Sequence, residues 1–291
     1  MRNSHLRQAL RSCSPTWAIA PCDAWAGSLH RRAGLRLCAG VRVCIPVTAF
    51  VAGIALATVA GVAGQQIRPN PNPGIIGIPD QGDRNLEPFV NHSSGRIQAD
   101  GGSSFSNFAL LDNHGEIHFS TGANFDNHDG RAELRNDVSG TVRSIGGTSF
   151  ENRNTARTLN KGTFTNEGVA ANVINSLGGS FENDIGATFT NAGLAVFTNR
   201  DQGTLVNAGE LENDGGTIVN ESYSFLDNRS LMPPPDSARM TITNGGSMLN
   251  RALLHNHNSA VLTNQVGSLL VNEAEGEIRN FEAATLTNSG N

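Results

Sequence analysis

Residues 203–220 read GTLVNAGELENDGGTIVN. Within these residues one pattern occurs three times: Leu205-Val206-Asn207, Leu211-Glu212-Asn213 and Ile218-Val219-Asn220. An apolar residue is followed by any residue and then by asparagine. Outward from this stretch the same triplet runs from Phe89-Val90-Asn91 to Leu286-Thr287-Asn288. Its common spacing is about eight residues, too short for a helix and suited to a short strand plus a turn. Side chains alternate across a strand, so the apolar residue faces one way and its neighbours the other. Asparagine accepts left-handed backbone angles, which gives the expectation that it ends each strand and turns the corner. Glycine often stands two residues before the triplet, as at Gly203 and Gly209. Every unit has the same polarity and the same ending, which favours coiling in one direction over hairpins.

Gaps in the asparagine series set the number of units per coil. Ile97-Gln98-Ala99, Ile117-His118-Phe119 and Val142-Arg143-Ser144 lack it and lie three units apart. Counting every third unit onward, with Leu231–Ser237 taken as a loop, reaches Asn166, Asn191, Asn213, Asn244, Asn264 and Asn288. The expected fold is all-β: a right-handed parallel β-helix (β-solenoid) with about three short strands per coil and about eight to nine coils. Rungs about 4.8 Å apart would make a rod of roughly 40 Å, with apolar ladders inside and asparagine ladders at the corners.

This register separates three outer faces. One carries Thr163 and Thr165, Thr188 and Thr190, Glu210 and Glu212, Thr241 and Thr243, Thr263, then Thr285 and Thr287. The second carries Ile174, Thr198, Val219, Leu249 and Val271, and the third Glu182, Val206, Asp227, His255 and Arg279. The threonine pairs and the apolar positions Ile174, Val219, Leu249 and Val271 are the candidate contact residues. Exposed aliphatics in a row mark a partner site or lie under a loop, here Leu231–Ser237 or residues 65–88.

Composition narrows the function classes. Net charge is −5 with 16% charged residues, which gives no electrostatic case for nucleic acid. All four cysteines lie at or before Cys44, so the repeats carry no disulfide framework and no zinc spacing. Residues 41–64 form an apolar run preceded or opened by Arg31, Arg32, Arg36 and Arg42. That pattern fits a secretory signal cut near Ala63 or Gly64, or an uncleaved membrane anchor. Residues 1–40 then read as an N-terminal extension or an over-extended gene start. Residues 65–88, rich in Pro and Gly, read as a linker or entry cap, and 89–291 as the solenoid.

Runs such as GTFTNEG and GSFENDIGATFTNAG resemble the passenger regions of bacterial autotransporters and filamentous-haemagglutinin-type secreted adhesins. The resemblance covers about residues 89–288 and implies a right-handed β-helix, export and adhesion. Asn70-Pro71-Asn72-Pro73-Gly74-Ile75 is similar to the Asn-Pro-Asn motif of their secretion domains. The chain ends inside a repeat, giving the expectation of end-to-end self-association through an uncapped last coil.

Chemical motifs are sparse. His114, Glu116 and His118 on one side of a strand are candidate transition-metal ligands, though adjacent strand positions converge poorly on one ion. Asp126-Asn127-His128-Asp129-Gly130 has the composition of a calcium loop without its carboxylate spacing. No cofactor or catalytic set is expected. The reading is a secreted or surface-exposed structural or adhesive protein, non-catalytic, with a host-cell or glycan surface as partner. The alternatives are a carbohydrate-active lyase or hydrolase using the charged face and an ice-binding protein using the threonine face.

Overall fold

The computed structural model describes residues 66–68, 70–78, 81–231 and 237–291. The extension and export segment read at residues 1–64 lie outside the described residues, as does the triple proline at Pro233 to Pro235. Among the described residues there are 28 strands and no helix. The first three are β1 (Ile75–Ile78), β2 (Gln81–Asn85) and β3 (Phe89–Asn91). Each strand pairs in parallel with the third strand after it. The chain therefore lays down three sheets, of ten, nine and nine strands, beginning at β1, β2 and β3 respectively. They are called sheets 1, 2 and 3 below. The result is an all-β, three-sheet parallel solenoid of about nine coils.

The coil starts earlier than Phe89, because residues 65–88 supply β1 and β2. Before β1, Gln66 bridges to Arg84 and Asn72 to Asn91, laying a partial rung on sheets 2 and 3.

Each typical strand has two inward positions, one apolar and one asparagine, in an alternating burial pattern. The apolar positions fill the centre. Phe164 of sheet 1 and Phe181 of sheet 3 meet edge to face at 5.3 Å, and Phe189 and Phe197 continue the stack at 5.4 Å. These rings are fully buried, each contributing about 1.5–3 kcal/mol by leaving water.

The asparagines form ladders. In sheet 3 they run Asn72, Asn91, Asn113, Asn136, Asn160, Asn183, Asn207, Asn228, Asn256 and Asn280. Each Nδ2 donates to the next Oδ1, as from Asn160 to Asn183 at 2.8 Å. Sheet 2 carries a second unbroken ladder from Asn85 to Asn272, extended backward by Gln66. The same Nδ2 also reaches a backbone carbonyl at the start of the next coil's following strand, as from Asn183 to Glu210 O at 2.9 Å. This second bond adds a side-chain donor to a carbonyl that the backbone ladder already engages, tying each corner to the coil above it.

Two expectations need correction. The ladder asparagines do not turn the chain through left-handed angles. The asparagines with positive φ are Asn154, Asn244 and Asn258, all outside the ladders. Ladder asparagines stay extended because their side chains must point inward, and the residues after them make the turn. The glycine ahead of the triplet is likewise not chosen for left-handed freedom at Gly162. A Cβ there would press on the carbonyls of Gly140 and Asp137 in the stacked turns below.

The second correction concerns Asn244, expected in the third ladder. Ile242 occupies that rung, paired with Asn213 before it and Asn264 after it. Asn244 is exposed with φ 52° and donates instead to Asp214. Sheet 1 therefore has a broken ladder: Asn166 to Asn191 to Asn213, then Ile242, then Asn264 to Asn288. The first rungs hold Ile78, Ala99, Phe119 and Ser144. The buried Oδ1 atoms of Asn166 and Asn264 have no partner, and each follows a rung that lacks asparagine.

Candidate functional site: three outward faces

The strand registers place the second face as expected. Ile174, Thr198, Val219, Leu249 and Val271 stack as consecutive partners on sheet 2. All are half-buried. The same row upstream holds Asp126 and Glu151, so the face is charged in its first half and apolar in its second. Loop Leu231–Ser237 joins sheet 3 to sheet 1, and the partial rung at Gln66 and Asn72 lies over the first coil. The partial rung does not cover the row from Ile174 to Val271, and residues 232–236 of the loop lie outside the described residues.

The threonine face of sheet 1 is interrupted, as its sequence already implied. Thr163 pairs with Thr188 and Thr165 with Thr190, so these four make a patch two rungs deep. Thr163 is exposed, whereas Thr165, Thr188 and Thr190 are half-buried. The row of Thr165 and Thr190 is bounded by Arg143 before it and Glu212 after it. Thr188 is likewise followed by Glu210. Charged side chains thus flank Thr165 and Thr190 on both sides, with Glu212 where the sequence reading placed it.

Further along, the pair Thr241 and Thr243 is shifted by two positions. Thr241 pairs with Glu212, whereas Thr243 pairs with Asp214 and donates to Gln265. Thr243 is buried there, which removes it from the contact residues. Arg239 and Val261 take the neighbouring row before Thr285, and Thr287 follows Thr263. The physical cause is the inward register: Met240, not Ile242, stands in line with Leu211 and Leu262. The array is two short patches separated by Glu210, Glu212 and Arg239. Burial, with Asp214 and Glu210 close by, raises the Glu212 carboxyl above the usual range.

The third face also keeps its expected row: Glu182, Val206, Asp227, His255 and Arg279 on sheet 3. Its charges pair off. Arg157 meets Glu182 at 2.7 Å, and Arg279 meets Glu277 at 2.6 Å. Asp227 is nearly buried and takes His257 at 2.7 Å. The His255 ring lies edge to face with Phe225 and Phe281, and burial lowers its pKa below the ordinary value. The His257 ring stacks on Phe281 at 5.0 Å. Sequence reasoning missed this His257–Asp227–Phe281 group, because Phe281 lies in a turn outside the triplet pattern.

The smaller motifs separate in space. His114 bonds Asp137 at 2.8 Å, whereas His118 takes Arg96 at 2.8 Å. Of the calcium-like run, Asp126 pairs with Arg153, Asn127 is in a ladder, His128 meets Asn154, and Asp129 caps Gly130. Among the described residues, no group of three His, Cys, Asp or Glu side chains is arranged to hold a metal ion.

No family model matches the chain, and no curated protein matches it. Among solved structures it is similar to a TibC-catalyzed hyper-glycosylated TibA fragment, at 11% identity over 77% of this chain and 97% of that one. The TM-score is 0.15, too low to carry an argument about fold or function.

Proposed function

We propose that this chain is an exported, non-catalytic structural or adhesive protein whose solenoid serves as a spacer and presents a contact face to a host-cell or glycan surface. The observation that carries this reading is the half-buried row Ile174, Thr198, Val219, Leu249 and Val271 on the outer side of sheet 2. An aliphatic strip interrupted by one residue, Thr198, on an otherwise polar surface marks a place where something binds. The ladders support the spacer role, since each rung is bonded to the next by backbone and side chain alike. The pairing of charges on the third face supports a surface role over catalysis. Self-association through the last coil belongs to the same proposal, with Leu286 at 39% exposure as its apolar contact. Sedimentation of Leu286→Glu would read that part: an unchanged distribution between monomer and oligomer removes it.

The test is binding of the full chain to a glycan array and to cultured cells, alongside a variant carrying Val219→Lys and Leu249→Lys. Saturable binding that the variant loses, with no turnover of bound glycan, is the expected outcome. Release of shortened or unsaturated sugars would establish the enzyme reading instead. Equal binding by the variant would remove the apolar face from the account.

A further inference from the structure

The turns from sheet 3 to sheet 1 alternate in length. The turn before β4 (Arg96–Ala99) spans the four residues 92–95, and that before β7 (Glu116–Ser120) only the two residues 114–115. The turn before β10 (Thr141–Ile145) again spans four residues, 137–140. Because the rungs are stacked, the short turn is recessed between two long ones. A cleft of about 580 Å³ opens there. That lies within the range of about 300–1,000 Å³ typical of small-molecule sites.

The floor is backbone at Gly115, where a Cβ would strike the carbonyls of Gly95 and His92. Serines form the walls. Ser94 donates to Pro73 O and Ser139 to His114 O, each at 3.0 Å, which fixes both hydroxyls. Ser93 is exposed at the rim. Facing them from sheet 1 is the row Arg96, Glu116 and Thr141, with Arg143 two residues beyond Thr141.

The two guanidinium groups differ. Arg96 is committed to His118 at 2.8 Å and lies 3.6 Å from Glu116. Arg143 approaches only Glu167, at 3.9 Å, beyond hydrogen-bond reach, and its side chain is 42% exposed. Its planar fork of donors is therefore open to a carboxylate, which it can hold through two parallel bonds. Among the lining residues two guanidinium groups face one carboxylate, Glu116, and Glu167 stands near Arg143 without engaging its fork, so Arg143 is the group left to take an anion. Around that charge lie hydroxyls and one acceptor, Glu116, the groups that pair with a ligand rich in hydroxyls.

We infer that this cleft binds a saccharide unit bearing one carboxylate, with the acid group on Arg143 and ring hydroxyls on Glu116, Thr141 and Ser93. The inference rests on the proposal that the solenoid contacts glycans, and it assigns one part of that contact to a defined site. The site lies upstream of the threonine patch on sheet 1, where Thr141 and Arg143 precede Thr163 and Thr165 in their rows.

The experiment is calorimetric titration of the full chain with digalacturonate, and with digalactose as the neutral counterpart. Digalacturonate is expected to bind at about 1 mM or tighter and digalactose at least about tenfold more weakly. Arg143→Gln should cut acid binding about tenfold or more, and Ser93→Phe, at an exposed position, should block the cleft. Far-UV circular dichroism checks that both variants keep the solenoid. Equal affinity for the neutral sugar, no binding of either sugar, or binding unaffected by both substitutions overturns the inference. Glycan-array binding that persists in both variants, with no digalacturonate binding, refutes the cleft and leaves the contact-face proposal intact. Loss of array binding in the parent chain refutes both.

Discussion

Replacing Asn183 by leucine tests whether the ladders hold the coils together through hydrogen bonds or through packing alone. Leucine is close to asparagine in size, and Ile242 shows that a rung of this solenoid accommodates an aliphatic side chain. The substitution removes the bond from Asn160 at 2.8 Å and the bonds to Asn207 at 2.9 Å, Glu210 O at 2.9 Å and Ala187 O at 3.4 Å. Asn160 keeps carbonyl partners at Gly162 and Thr188. One buried acceptor, Asn207 Oδ1, loses its donor, whereas Glu210 O keeps the Phe189 N–H of the sheet 1 ladder. At about 1–3 kcal/mol for the orphaned oxygen and about 0.5–1.5 kcal/mol for each of the bonds lost from Asn160 and to Glu210 O, the loss is about 2–6 kcal/mol. Burying leucine offsets about 2 kcal/mol of it. The net expectation is local destabilisation centred on about 2 kcal/mol, within about 0–4 kcal/mol. A solenoid opens coil by coil, so a global midpoint is the wrong readout. Hydrogen exchange followed by mass spectrometry gives the opening free energy of each segment. Protection should fall across residues 159–211 and stay unchanged near Phe105 and Phe125. If the central peptides lose no protection or gain it, the ladder bonds contribute no more than the aliphatic side chain does, and the reasoning fails.

The reverse change, Ile242→Asn, would close the gap in sheet 1 and give the unpartnered Asn264 Oδ1 a donor. Lost apolar burial and gained bonds offset, so local protection should move by no more than about 1 kcal/mol, with exchange near Asn264 slowed; a loss above about 3 kcal/mol would refute the gap's origin. Two glycines should respond for different reasons. Gly162→Ala should cost about 2–3 kcal/mol by overpacking against the turns below, whereas Gly101→Ala, at φ 62° in open space, should cost about 1–2 kcal/mol of backbone strain. Equal effects on urea-induced opening would undo that distinction. His255 predicts a pH dependence. Burial, foremost, lowers its folded pKa below the ordinary 6.5, with Asp227 and Glu277 opposing and Arg279 and His257 adding to the shift. The unfolded chain thus binds the proton first, and the stability present above about pH 6.5 is lost as pH falls through the folded value. Exchange in β24 (Leu253–His257), corrected for intrinsic rates, should speed up below that pH, and His255→Gln should flatten the response.

Much of this protein was legible in the chain because a parallel solenoid repeats one local rule. Alternation sends Phe181 and Asn183 inward and Glu182 outward wherever the strand stands. A uniform period then aligns like with like, which is why the apolar row from Ile174 to Val271 and the row from Glu182 to Arg279 could be read before any coordinates. Reading failed where two inward registers fit the letters equally well. Ile242-Thr243-Asn244 has the triplet pattern, but Met240 two residues earlier takes the central position, so Thr241 and Thr243 slide together along the face. Thr241 thereby falls in the row of Thr165 and Thr190, and Thr243 leaves it. A strand whose inward side offers two apolar residues has its register decided by the rungs packed on either side of it.

The sequence by itself determined the strand polarity, three units per coil and the residue class of each face, because these follow from a period that local alternation imposes. Tertiary structure decided what each asparagine does, which glycines lack room for a side chain, and where the surface opens. Those outcomes depend on atoms about 20 to 30 residues apart meeting across stacked rungs, as when Asn183 reaches Glu210 O. The cleft above Gly115 is of the same kind. It exists because a short turn lies between two long ones in neighbouring coils, and that relation is created only by stacking.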